Sequence, residues 1–201
     1  MDPAVAAPYA CSGLTAYSAL KKIPKTSLDD WIIIIGAGGV GINGILLSSA
    51  VHNAKILVID NDKEKREKAI EAGADQAFSP EDEEKIRKII GIGAVAAIDF
   101  VGMPQTTDFG LSLIQKGGVV IVVGLYGGSL KMSLPLVPMR SITLRGSYVG
   151  ELRELKELVE IIKSGKIKLI PVKKQDLETA NQAMADLRAG KVNGRIVLVP
   201  K

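Results

Sequence analysis

From Trp31 onward the chain alternates short apolar runs with longer stretches in which apolar residues recur every three or four positions. The runs 31–35 (WIIII), 55–59 (KILVI), 76–78, 94–99 (AVAAID) and 118–123 (GVVIVV) predict strands. The stretches 39–52, 63–72, 81–90 and 104–115 predict the helices between them. On the first helix Val40, Gly44, Leu47 and Val51 fall on one face, and Gly73 stops the second where a left-handed residue is wanted. Repeated strand–helix–strand units predict an α/β fold, a doubly wound parallel sheet with right-handed crossovers.

The texture changes after residue 123. Residues 126–141 carry glycines, Pro135 and Pro138, and 142–149 (ITLRGSYV) predicts a further strand. Helix 151–163 should align Leu152, Leu155, Leu158, Val159 and Ile162; an extended piece follows at 170–173, then helix 176–188 with Leu177, Ala180, Met184 and Leu187 on one side, and a last strand at 194–199. Before the first strand a helix is expected at 12–22, followed by a polar linker. The organisation read from this is a leading segment 1–28, the α/β unit 29–150 and a closing helix–helix–strand segment 151–201.

The candidate chemistry sits between the first strand and the first helix, where Gly36-Ala37-Gly38-Gly39-Val40-Gly41 follows WIIII. The first glycine permits a tight turn, the second (Gly38) lets backbone approach a pyrophosphate, and the third (Gly41) lets the helix pack on the sheet. Amide groups at 39–41 are then expected to face phosphate oxygens, with the helix dipole favouring their charge. Such turns also arise from packing alone, so the second strand matters. Asp60 ends it, 19 residues after Gly41, where a carboxylate can accept hydrogen bonds from both ribose hydroxyls of NAD and repel a 2′-phosphate. Residues 61–63 offer no arginine to hold such a phosphate, although Lys63 and Lys65 are near, so NAD is expected over NADP. The plainer alternative for Asp60 is a turn residue after a strand.

Composition narrows the classes. Aromatic residues are only 4% against 47% hydrophobic overall, so the core must be filled by Ile, Val, Leu and Ala, as suits a parallel sheet covered on both faces. The net charge of +4 is spread as Lys/Arg interleaved with Asp/Glu, as in 62–68 (DKEKREK), and no basic stripe suited to nucleic acid stands out. Trp31–Ala54 lacks Asp, Glu, Lys and Arg, yet its five glycines and polar residues read as strand, turn and helix rather than a membrane span. The single cysteine excludes an internal disulfide and fits a reducing compartment, and no N-terminal signal pattern is visible, so a cytoplasmic location is expected.

That cysteine, Cys11, is by itself more readily a buried small hydrophobe than a metal ligand. His52, the only histidine, is expected to be exposed at the end of the first helix. No Cys/His cluster supplies the three or four ligands zinc needs, and no nucleophile–base–acid triad is apparent.

Taken together, ACSGLTAYSAL at 10–20, GAGGVG at 36–41, VIDND at 58–62, EAGADQAF at 71–78, AIDFVG at 97–102, GGVVIVVGLYGG at 117–128, RGSYVG at 145–150 and GRIVLVP at 194–200 resemble, in this order, the zinc-dependent alcohol dehydrogenases of the medium-chain dehydrogenase superfamily. The resemblance implies a Rossmann domain at 29–150 and assigns roles that spacing does not reach. It makes Cys11 a catalytic zinc ligand and places Thr15 beside the nicotinamide. Gly39 and Val40 would contact the pyrophosphate, and Arg195 would pair with the phosphates. Asp60 and Lys65 would hold the adenosine ribose, Phe100 and Val101 would flank the adenine side, and Val123 and Leu125 would offer backbone groups to the carboxamide. It also implies a small alcohol or aldehyde substrate and a homodimer or higher homo-oligomer, joined through a strand near 129–134.

Family members begin with a β-rich catalytic domain that supplies the other zinc ligands, and this chain is expected to be the cofactor portion without it. It is therefore expected to bind NAD but not to hold zinc alone. Two alternatives stand beside this reading: a non-catalytic dinucleotide-binding module, and the zinc-free quinone-reductase branch of the superfamily, against which Cys11 argues.

Overall fold

The computed structural model describes residues 2–192 and 194–200. In chain order its elements are α1 (Pro3–Ala6), α2 (Ser12–Leu20), β1 (Trp31–Ile35), α3 (Gly39–Val51), β2 (Lys55–Ile59), α4 (Lys63–Glu71), β3 (Gln76–Phe78), α5 (Glu83–Ile90), β4 (Ala94–Asp99), α6 (Pro104–Leu113), β5 (Ile114–Val122), α7 (Leu136–Arg140), β6 (Thr143–Gly146), α8 (Leu152–Lys163), β7 (Val172–Asp176), α9 (Ala180–Arg188) and β8 (Arg195–Val199). The first six strands form one sheet in the order β3-β2-β1-β4-β5-β6, every pairing parallel. Strands β7 and β8 pair separately, also in parallel.

Strand side chains alternate between faces, and here the two faces carry two cores. Ile32, Ile34, Ile56, Val58, Ala96, Ile98, Val119 and Ile121 pack with residues of α2, α3 and α8. Ile33, Ile35, Leu57, Ile59, Ala97 and Val120 pack on the other side with Ile86 and Ile90 of α5 and Leu111 and Leu113 of α6. Burial on both faces explains why these strands are apolar throughout and not only at every second residue. The order of strands reverses at β1, which lies between β2 and β4. In open sheets of this kind ligands bind beyond the carboxyl ends of the strands at such a reversal.

The expected strands and helices of the central unit are present, with differences at their ends. Helix 104–115 stops at Leu113 because Ile114 already pairs with Ala94; the ladder then skips to Ala96 opposite Val119, and Gln115–Gly118 bulge out with Gly117 at φ 80°. The first expected helix ends at Leu20 rather than residue 22. The last begins at Ala180 after a single 3-10 turn at Leu177–Thr179, and Leu177, Met184 and Leu187 are exposed rather than buried. Leu152 is also exposed, while Glu154, Leu158 and Ile162 are the buried residues of α8. Short helices α1 and α7 carry too little periodic pattern to read from sequence. Residues 124–133 contain no strand among the described residues; Leu130 and Met132 instead lean on the second core. No described helix is long and apolar enough to cross a membrane.

His52 is a clear correction. It is half-buried, with Nε2 2.8 Å from the Leu20 carbonyl and Nδ1 3.3 Å from Thr26 Oγ1, so it ties the end of α3 to the end of α2. The Leu20 carbonyl accepts only, which places the imidazole proton on Nε2.

The strongest polar fixture lies at the end of β4. Asp99 is fully buried; its Oδ1 accepts from the amides of Val101 and Gly102, both at 2.9 Å, and its Oδ2 from the hydroxyls of Thr106 (2.8 Å) and Thr107 (2.7 Å). Its carbonyl accepts the amides of Val123 and Gly124 beyond β5. One residue thus fixes the loop after its own strand, the start of α6 and the exit of β5. Asp99→Ala removes the acceptor of the Val101 and Gly102 amides and of the buried Thr107 hydroxyl, while Thr106 can still donate to the Met103 carbonyl, and is expected to lower unfolding free energy by about 3 kcal/mol. Asp99→Asn should cost less, since both threonine hydroxyls can turn to accept the new amide; urea denaturation of the two variants checks the order.

Candidate functional site

The carboxyl end of β1 turns sharply into α3. Gly36 sits at φ 90°, a backbone that L side chains rarely adopt, and its amide donates to the Ile59 carbonyl at 2.8 Å. A Cβ on Gly41 would collide with the Gly36 carbonyl, so the first turn of the helix rests directly on the loop. Gly38 has open space around it, as a backbone position must if something is to approach it. With no side-chain cap on this end of α3, its first amides face outward unsatisfied, an anion-binding arrangement.

Asp60 braces the turn from β2. Its Oδ2 accepts the Ala37 amide at 2.8 Å and its Oδ1 the Asp62 amide at 2.9 Å, while Arg66 Nη1 donates to its carbonyl at 2.7 Å. Each carboxylate oxygen keeps a second lone pair, so the side chain is at once a turn residue and an available acceptor. It lines a cleft of about 650 Å³ with Gly36, Ile59, Asn61, Val101, Met103 and Phe109. Lys65 lies on the other flank of the turn, in a groove with Ala37, Gly38, Ile42 and Leu46, its Nζ 4.0 Å from Asp62 Oδ2.

Phe100 and Val101 part company. Val101 lines the cleft, but Phe100 turns to the opposite face, where its ring would meet a Cβ on Gly44 at 2.9 Å. It supports α3 from beneath instead of flanking the cleft. Neighbouring residues leaving a strand point to opposite faces, so a motif that names both cannot place both on one surface. The two loops that close this end touch through backbone alone: a Cβ on Gly102, at φ 76°, would overlap the carbonyl of Gly124. Val123 is buried with its amide donated to the Asp99 carbonyl at 2.9 Å, which leaves only its carbonyl free, whereas Leu125 is largely exposed.

A guanidinium arrives from the far end of the chain. Arg195, first residue of β8, lies so close to the glycine turn that a Cβ on Gly39 would meet its Nε at 2.8 Å and Cζ at 3.0 Å. Burial holds its pKa below the ordinary arginine value, and the nearby Cys11 opposes the shift. Arginine stays protonated regardless, so the result is a poorly hydrated positive charge beside unsatisfied amides.

The residues of α2 complete the picture. Cys11 precedes the helix and is exposed, not buried as a lone cysteine more often is. Thr15 donates its hydroxyl to the Cys11 carbonyl at 2.8 Å. Among the described residues no group of three or more His, Cys, Asp and Glu is placed to share a metal ion.

These features, a doubly wound parallel sheet with a glycine turn, an anchored carboxylate and a half-buried arginine at its reversal point, define a nucleotide-binding class of fold. The family model for zinc-binding dehydrogenases matches residues 39–164, more than half of the chain. The chain belongs to that family. It is 38% identical, over 98% of its length, to an NAD-dependent alcohol dehydrogenase of Sulfolobus acidocaldarius, and 34% identical, over its whole length, to a D-arabinose 1-dehydrogenase (NADP(+)) of Saccharolobus solfataricus. It spans 58% and 59% of those proteins. The crystal structure of the alcohol dehydrogenase from Aeropyrum pernix superposes with a TM-score of 0.87 at 32% identity, covering 97% of this chain and 57% of that one.

Two site residues escaped sequence reading. Asp99 is hidden because its partners are backbone amides and two threonines, which no spacing rule marks. Ser12 stands beside Arg195 although 183 positions separate them. The turn itself yields the test: Gly41→Ala forces the Gly36 carbonyl to move, with backbone on both sides of the clash. It should lower the melting temperature by several degrees, since the first turn of α3 can no longer rest on the loop. Thermal denaturation of the variant beside the unmodified chain measures the effect.

Proposed function

We propose that this chain is the dinucleotide-binding part of an NAD-dependent alcohol dehydrogenase. The observation that carries the reading is the half-buried Arg195 guanidinium set against Gly39 of the glycine turn, next to Gly38, whose open surroundings leave room for a pyrophosphate. Amides of Gly39, Val40 and Gly41 would hold one side of that group and Arg195 the other. Asp60 would accept the adenosine ribose hydroxyls on its remaining lone pairs, with Lys65 on the opposite flank, and Val101 would form a wall for the adenine. The Val123 carbonyl, the Leu125 backbone and Thr15 would meet the nicotinamide end. A bound nicotinamide dinucleotide would supply the acceptor for hydride from an alcohol's carbinol carbon, or the donor of hydride to a carbonyl carbon; this chain's residues supply position and charge.

Zinc fits less well. Cys11 is exposed at the head of α2 and suits the zinc-dependent branch better than the zinc-free one, yet the described residues gather no ligand set around it. A small alcohol or aldehyde as substrate and self-association through the segment near 129–134 belong to the same reading.

The preference for NAD rests on charge. A 2′-phosphate would meet the Asp60 carboxylate at the end of β2, so NADH should bind more tightly than NADPH, and Asp60→Ala should narrow the gap. Equal affinities for the unmodified chain in a fluorescence titration would refute the assignment. Catalysis gives a second test. The chain with zinc added should bind NAD but fail to reduce it with short primary or secondary alcohols, because unassisted loss of the alcohol proton is prohibitive at neutral pH. Turnover that Cys11→Ser abolishes would show that a ligand set assembles after all.

A further inference from the structure

Arg195 can grip an anion only if its guanidinium is held, and the structure shows what holds it. Ser12, the first residue of α2, is buried, and its hydroxyl sits among three partners. Its Oγ donates to the Pro8 carbonyl at 2.9 Å, accepts from Arg195 Nε at 3.1 Å, and accepts from Asn43 Nδ2 at 3.1 Å. The directions are forced. A proline carbonyl only accepts, so the serine proton goes there, and its two lone pairs remain for the two nitrogens. Asn43 is likewise fixed. It is fully buried, and Nδ2 also reaches the Gly39 carbonyl at 3.2 Å, an acceptor only, so the amide nitrogen must face this side. Its Oδ1 has no partner among the described residues, a cost that a purely structural asparagine would not be expected to carry.

The chain of contacts runs from the α3 backbone at Gly39 through Asn43 and Ser12 to Arg195, which itself lies over Gly39. Arginine side chains have large rotamer freedom, and a guanidinium tethered at Nε presents its two Nη groups in one plane. We propose that Ser12, supported by Asn43, is a positioning residue that pre-sets the Arg195 fork over the glycine turn and thereby makes the site selective for a diphosphate bridge. This rests on the dinucleotide reading above.

The test separates phosphate recognition from general stability. NADH, ADP and adenosine are titrated against the full chain, the last two by displacement of NADH fluorescence. Ser12→Ala should weaken NADH and ADP about tenfold each, the scale of one lost charge-assisted hydrogen bond, and leave adenosine within about twofold. In an Arg195→Gln background the same substitution should have no further effect on ADP. Should the alanine variant fold poorly, Ser12→Thr and Ser12→Val share a shape and differ in the hydroxyl; threonine should keep ADP affinity and valine lose it. Unchanged ADP affinity in Ser12→Ala, or adenosine falling in parallel with ADP, overturns the positioning role alone. An unmodified chain that binds neither NADH nor ADP overturns the dinucleotide reading and this inference with it.

Discussion

Backbone must come within van der Waals distance of backbone at the carboxyl edge of this sheet, and two strand-end carboxylates make that approach possible. Asp60 accepts the amide of Ala37 from the loop after β1, and Asp99 accepts the amides of Val101 and Gly102 from the loop after β4. Each replaces, with a fixed acceptor, the water that those amides would otherwise need. Tight loops carry donors that no sheet ladder satisfies, so without the carboxylates the loops would have to open toward solvent. The glycines answer the steric half of the same problem: Gly102 and Gly124 touch without side chains between them, and Gly36 lies under Gly41. Sterics and hydrogen bonding therefore specify one shape for the cleft, and neither would do so alone.

The closing segment is bound into this arrangement by polar contacts as well as packing. The Arg195 amide donates to the Pro171 carbonyl at 2.9 Å, and the Ile170 amide donates to the Tyr9 hydroxyl at 3.0 Å. Burial raises the Tyr9 pKa, so the phenol keeps its proton and remains a neutral partner. Between α2 and α8, Tyr17 donates to Glu157 Oε2 at 3.1 Å, and burial with that carboxylate pushes its pKa to about 12. Lys21 pairs with the same carboxylate and holds its pKa down. The leading and closing parts of the chain are thus held against each other beside the site.

Much of the central unit was legible in the sequence because parallel strands buried on both faces leave unbroken apolar runs, and glycines mark the turns between them. Around the candidate site the glycine spacing made the tight turn from β1 to α3 legible, with Asp60 beside it, because a β-turn-α unit has few ways to pass from strand to helix. The side of the sheet that Phe100 and Val101 each take was not legible, since a motif written as a string ignores the alternation of side chains. Leu152 and Leu177 misled for a related reason: an apolar residue in helical register is buried only if another element covers it. Ser12, Asn43 and Arg195 meet only in three dimensions, so no local pattern joins them.

The hydrogen-bond hub at Ser12 changes how the two ends of the site relate. Resemblance gives Cys11 and Arg195 separate tasks, one at a metal and one at the phosphates. In the structure Cys11 is the residue before Ser12, its carbonyl takes the Thr15 hydroxyl, and Ser12 holds Arg195. The conformation at Cys11, φ −130° and ψ −80°, is set where the 3-10 turn at Ala7–Ala10 meets α2, and the Ser12 bond to Pro8 spans that junction. The Ser12 hydroxyl is bonded both to the Pro8 carbonyl, on the turn that leads into Cys11, and to the Arg195 guanidinium from the far end of the chain. The two ends of the site therefore share one hydrogen-bonded junction at the head of α2, although the sequence places them 183 positions apart.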